Sequence, residues 1–190
     1  AQVLLDTDPE GGAGELERLR EAQNTEVRIQ ALLVLAGLAL DQGQTQGALA
    51  DLAEAQQATQ SDNGVWQAAI TSMRVQAMLE MGEREQAVQA WEQALDRSAG
   101  NEDLASQAGL GLGELALSAG QPEEAQGYFE GVLSSAQDRG WKDRARLGRA
   151  RARIDAGDFS GAQEDLERVL LSEEAELVAG AQELLGQLPD

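Results

Sequence analysis

A glycine returns four times along this chain, at Gly43, Gly82, Gly120 and Gly157, with spacings of 39, 38 and 37 residues. It does not return alone. An alanine follows each time (Ala48, Ala87, Ala125, Ala162), then a bulky apolar residue (Leu52, Trp91, Phe129, Leu166). One helical turn further on come Ala55/Gln56, Ala94/Leu95, Val132/Leu133 and Val169/Leu170. Self-similarity of this length marks an array in which each unit buries its apolar face only against its neighbours. The stretch from Ala69 to Ser98 shows the unit most clearly. Its apolar spacing reads as two amphipathic helices joined by a turn at Gly82. No part of the chain alternates as a strand would, so the fold class is all-α.

The expected order follows from caps and breakers. Residues 1–24 read as the tail of an upstream repeat, ending at Asp8-Pro9, and a short helix over Glu15 to Gln23 carrying Leu16 and Leu19. The chain begins at Ala1, and we expect further sequence upstream. Asn24-Thr25 offers an N-cap with Glu26 in the first turn. Four hairpins are then expected within 25–171, at 26–59, 65–97, 102–137 and 141–171. Pro122, with Glu123 and Glu124 beside it, suits a helix start. A capping helix closes the array over 172–190, with Leu177, Ala181, Leu184 and Leu188 on one side.

Composition removes several classes of function. Cysteine and histidine are both absent, which excludes disulfides, thiolate nucleophiles, imidazole or thiolate metal ligands and the commonest general base. The formal net charge is −20, with 14 Lys+Arg against 34 Asp+Glu, so a nucleic-acid backbone would be repelled. Aromatics are 3%, so the interior must be built from Leu, Ala and Gly. No apolar run is long enough for a membrane-spanning helix. The composition suits a bacterial protein and leans to the periplasm or cell envelope, although the compartment stays open.

The Gly, Ala, bulky and Ala-Leu columns together resemble the tetratricopeptide repeat, over about Ile29 to Leu171 plus the terminal cap. The resemblance implies a right-handed α-solenoid of antiparallel hairpins, with a concave surface lined by the first helix of each pair. The period is longer than the family's usual 34 or so. The family's Trp and Tyr are replaced in the first helices by Leu32, Leu35, Ala36 and Ala39 in the first repeat, and by Arg146, Arg149, Ala150 and Arg153 in the fourth. Arginine at three normally buried columns makes the packing of the fourth hairpin the weak point of this reading. Glu26 to Ala31 also looks like the opening of a HEAT repeat, which is the alternative fold.

Candidate chemistry is sparse. Asp6-Thr7-Asp8-Pro9-Glu10-Gly11 with Glu17 has the oxygen spacing of a calcium loop, but Pro9 and Ala13 fit it badly, and an acidic inter-repeat turn explains it better. The carboxylate pairs Glu123/Glu124, Glu164/Asp165 and Glu173/Glu174 fall in first turns or on outer faces, where we expect them solvated rather than tuned for acid–base work. Gly109-Leu110-Gly111-Leu112-Gly113 follows no strand, so close helix contact accounts for it better than phosphate binding. No cofactor, metal or catalytic centre is expected.

Six cations lie between Lys142 and Arg153. Lys142, Arg146, Arg149 and Arg153 share one helical face, where pairing with Glu164, Glu167, Glu173 and Glu174 is expected; Arg144 and Arg151 share another with Leu147. The expected function is a non-catalytic scaffold receiving a peptide or partner helix. The alternative is a self-association or sensor arm of a larger bacterial regulatory or envelope protein. The expected groove comprises Gln30, Leu33 and Leu40; Gln76 and Leu79; Gln107, Leu110, Glu114 and Leu117; and Arg144, Leu147, Arg151 and Ile154. Its partner would be a protein or peptide, or a second copy of the chain, and neither a nucleic acid nor a bilayer interior.

Overall fold

The recurring glycines end helices, and all four do so with one geometry. Their φ angles are 70°, 76°, 70° and 81°, in the left-handed region that costs glycine nothing. The amide after each glycine donates five residues back, Gln44 to Ala39 at 2.7 Å and Glu83 to Met78 at 2.8 Å. Gln121 to Ala116 at 3.0 Å and Asp158 to Arg153 at 2.7 Å repeat it. Each glycine amide donates three residues back, to Leu40, Leu79, Leu117 and Ile154. This is the Schellman motif, which satisfies the last carbonyls of one helix and reverses the chain into the next.

A computed structural model describes residues 9–59 and 64–189. Ten helices occupy them: α1 Pro9–Leu19, α2 Thr25–Asp41, α3 Thr45–Ala58, α4 Gly64–Glu80, α5 Arg84–Asp96, α6 Glu102–Ser118, α7 Pro122–Ser135, α8 Arg139–Asp155, α9 Phe159–Val169 and α10 Ala175–Leu185. Among the described residues there is no strand. The fold is an all-α helical repeat of the solenoid class. The chain divides into two compact units, Ala1–Ala90 and Trp91–Asp190.

In the first unit α2 packs on α3 and both meet α4, while α1 lies on α2. Asn24 caps α2 as expected, its Oδ1 accepting from the Glu26 amide at 2.9 Å. The first helix starts earlier than the sequence suggests and stops at Leu19, because the chain turns where the amides of Arg20 and Ala22 reach back to Leu16 and Leu19. Glu10, Gly11 and Glu17 therefore lie in a helix, not in a calcium loop. Asp6, Thr7 and Asp8 lie outside the described residues, as do the apolar tail Ala1 to Leu5 and most of the loop from Gln60. Arg20 ties this corner to α3, 2.6 Å from Glu54, 3.1 Å from Asp51 and 3.1 Å from Glu17. One guanidinium thus serves three carboxylates. Burial raises the Asp51 carboxyl above its usual range despite Arg20, with Glu17 and Glu54 pushing the same way.

The second unit stacks α6 on α7, α7 on α8, α8 on α9 and α9 on α10. The sequence columns form its floor: Ala125, Phe129, Val132, Ala162, Leu166 and Val169 are buried. Leu133 and Leu170, the neighbours of the last column, are only half-buried. Pro122 opens α7 as expected. α10 begins at Ala175 after an uncapped Glu174, while Ser172 Oγ accepts from the Glu174 amide at 3.3 Å, so Ser172 shapes the approach rather than the cap.

The glycine-rich stretch in α6 is explained by contact. A Cβ on Gly109 would stand 2.5 Å from Val132 Cγ2, and one on Gly111 would run into the Trp91 indole. A Cβ on Gly113 would stand 2.5 Å from two ring atoms of Phe129, and one on Gly148 of α8 would meet the same two atoms at the same distance. The ring of Phe129 is wedged between two glycines from successive first helices.

The arginine columns of α8 resolve through two buried aspartates. Asp165 is 2% exposed; Arg149 grips it bidentately, Nε to Oδ2 at 2.9 Å and Nη2 to Oδ1 at 2.8 Å. Arg153 Nη1 adds a bond to Asp165 at 2.8 Å and another to the Gly161 carbonyl at 2.7 Å. Asp143, also buried, takes Arg146 at 2.6 Å. The expected solvation of Asp165 is therefore wrong, and none of Glu164, Glu167, Glu173 and Glu174 pairs with Lys142, Arg146, Arg149 or Arg153 among the described residues. An arginine on the inner face of α8 reaches across to the inner face of α9, whereas Glu164 and Glu167 point outward. Bidentate pairing satisfies both ions where a lone buried charge would be costly. The hydrogen bonds to Asp165 raise the Arg149 pKa further.

Candidate functional site

The sequence-derived groove is not one open stripe. Leu40 and Leu147 are buried: Leu40 belongs to the core that holds Ala36 and Leu52, and Leu147 to the core around Leu166 and Ala181. These two placements correct the expectation. Ala48 and Leu52 of α3 with Ala77 of α4 cover Leu40, and Leu166 of α9 with Ala181 of α10 cover Leu147. Leu110 and Leu117 are half-buried against the Phe129 core, and Ile154 against the Leu166 core. Leu79, 40% exposed, keeps an open face. Gln76 beside it donates to Glu80 at 3.2 Å.

In the second unit the polar members pair with one another. Glu114 of α6 lies 3.4 Å from Arg151 of α8, and Arg144 lies 2.7 Å from Glu174 before α10. The Arg144 guanidinium also sits over the Trp141 ring, 5.1 Å from its centre, and Trp141 Nε1 donates to Asp103 at 3.0 Å. Arg144 and Arg151 thus each pair with an acid of a neighbouring segment. Gln107 is half-buried, and its Oε1 has no hydrogen-bond partner among the described residues.

The first unit holds an open cavity. A cavity of about 530 Å³ is lined by Leu16 and Leu19 of α1, Val27, Gln30, Ala31, Leu33 and Val34 of α2, and Trp66 of α4. Gln30 and Leu33 were expected in a groove; the structure joins them to Leu16, Leu19, Val27, Val34 and Trp66, which were not. A signal existed: Val27, Gln30, Ala31 and Val34 follow the helical spacing. The tertiary fold supplies what that spacing lacks, because α1 and Trp66 provide the opposing walls. Such a concavity is the size of an ordinary ligand or side-chain pocket and is mainly apolar.

Two tetratricopeptide repeat models match the chain, one over residues 72–140 and the other over 116–188. The chain belongs to the tetratricopeptide repeat family. Over residues 72–188 the match favours the tetratricopeptide repeat over the HEAT alternative. Solved structures agree on the fold. A tetratricopeptide repeat protein from Parabacteroides merdae ATCC 43184 is 19% identical with a TM-score of 0.64, over 96% of this chain and 68% of its own. BtubC (BKLC) from P. vanneervenii is 18% identical with a TM-score of 0.63, over 95% of this chain and 75% of its own. No curated protein sequence matches. Tetratricopeptide repeats mediate protein–protein interaction, and proteins built from them are typically non-enzymatic scaffolds. Among the described residues no helix is long and apolar enough to cross a membrane.

Proposed function

We propose that this tetratricopeptide repeat chain is a non-catalytic docking module whose apolar cavity on α1, α2 and α4 anchors a protein partner. The single observation that carries this reading is the 530 Å³ cavity walled by Leu16, Leu19, Val27, Leu33, Val34 and Trp66. Amphipathic helices dock by inserting apolar side chains at i, i+3 and i+4 into such hollows. Gln30, exposed at the edge, can hydrogen-bond a partner backbone. Gln76 and Leu79 of α4, both exposed in the same unit, serve as secondary contacts.

A peptide display selection against the intact chain tests the proposal, followed by calorimetry with the selected peptide. Selected sequences are expected to share apolar residues at helical spacing. Val27→Asp with Val34→Asp is expected to weaken binding at least about tenfold while melting stays close to wild type. Equal binding to this variant overturns the reading. A second copy filling the cavity would instead appear as a mass that rises with concentration and falls in the same variant.

A further inference from the structure

A second concavity lies in the other unit, at the open end of the α8–α9 hairpin. It encloses about 370 Å³ and is lined by Arg139, Lys142, Asp143 and Arg146 of α8, with Arg168 and Leu171 at the end of α9. Four cations stand against one carboxylate, in a chain whose formal net charge is −20. The carboxylate is already committed. Asp143 is buried, with Arg146 at 2.6 Å and Arg139 at 3.5 Å. Arg139 also donates to the Leu171 carbonyl. Lys142 and Arg168 have no ion-pair partner among the described residues, although acids outnumber cations 34 to 14 in the chain. Arg168 lies in the last turn of α9, where a cation suits the helix dipole; Lys142, near the start of α8, has no such role.

The rim adds a second property. Leu171 is 70% exposed, the most exposed of the large apolar residues described. A small inorganic anion would use the cations and leave the leucine in water. A peptide with an apolar side chain next to its carboxylates would cover both. We propose that this hollow is a docking site for an acidic, leucine-containing segment of a partner protein, held by Lys142 and Arg168 with Leu171 as the apolar contact. Arg139 and Arg146, fixed by Asp143, form the rigid wall behind them. The site uses the α8 face that meets α9. It is separate from the Arg144 and Arg151 face, and it does not depend on the cavity of the first unit.

The test is calorimetry on the full chain at low ionic strength. The probe is an acetylated, amidated peptide of repeating Asp-Glu-Leu, which has no free terminal carboxylate. Lys142→Glu with Arg168→Glu is expected to weaken its binding about tenfold or more, since two attractions become repulsions. Neither residue makes an ion pair, so the helices should remain intact, as circular dichroism checks. Affinity of the wild-type chain should fall steeply with added salt. It should also fall when the acids become Asn and Gln, or when Leu becomes Gly. Three results overturn the proposal: unchanged affinity in the double variant, equal binding of the neutral peptide, or equal binding of the glycine peptide. Inorganic phosphate binding as tightly as the peptide would reassign the hollow to small anions. The neutral and glycine peptides test the wild-type chain alone, so the proposal stays open to refutation even if the variant misfolds.

Discussion

Replacing Gly113 by alanine pits two opposing effects of known size against each other. Alanine is better than glycine inside a helix by about 0.8–1 kcal/mol, and Gly113 lies well inside α6. Against this, the new Cβ would stand 2.5 Å from both Cε1 and Cζ of Phe129, about 1 Å inside ordinary carbon–carbon contact. The ring has no free direction of retreat, because Gly148 approaches the same two atoms from α8 at the same 2.5 Å. Overpacking a close-packed core costs about 1–3 kcal/mol, and this site, pinned from both sides, belongs at the upper end. The net expectation is a loss of about 1–2 kcal/mol for Gly113→Ala, and a similar loss for Gly148→Ala. The control lies in the same repeat. Gly127 and Gly131 sit on the exposed face of α7 with nothing within 4 Å of an added Cβ, so alanine there should stabilise by about 0.5–1 kcal/mol. Urea denaturation followed by circular dichroism reads all four. Phe129→Leu in the Gly113→Ala background should recover part of the loss, giving a double-mutant coupling of about 1 kcal/mol. If Gly113→Ala stabilises as much as Gly127→Ala, the wedged-ring account is wrong.

Asp165→Ala should cost about 3 kcal/mol, the low end of the range for breaking a buried pair, because Arg149 and Arg153 retain 15% and 21% exposure and can turn to water. Adding Arg149→Met and Arg153→Met should restore much of it in thermal melts; wild-type melting of Asp165→Ala would refute the network. Asp51→Asn should raise the melting temperature at neutral pH, since a carboxyl whose pKa is raised by folding destabilises the fold while ionised. That gain should shrink as pH falls through the raised value and vanish below the ordinary carboxylate pKa of about 3.9; a lower melting temperature at neutral pH would contradict the crowding of three carboxylates on Arg20. Truncation before Ser172 should uncover the core holding Leu147, Leu166 and Val169, which α10 meets with Leu177, Ala181 and Leu184, and the segment after it with Leu188. A loss of about 3 kcal/mol or more is expected, with aggregation seen by light scattering; a monomer of unchanged stability would show that α10 caps nothing.

Sequence alone determined the repeat and its punctuation. The glycine column is legible because the left-handed turn is a local requirement of the backbone, and only glycine meets it without strain. The buried columns at Ala48, Leu52, Ala125, Phe129, Ala162 and Leu166 are legible because a helix can bury only one face. What sequence could not decide is which helix covers which face. Leu40 and Leu147 look like groove residues until a neighbouring helix is placed over them. Leu16 and Trp66 look like isolated core residues until α1 and α4 open a cavity between them. Asp165 reads as a solvated acid in a Glu-Asp pair, yet it is buried, because two arginines more than a helical turn away in another element arrive at its oxygens. The pairing of charges across helices is a property of distance in space, and the tertiary structure alone decided it.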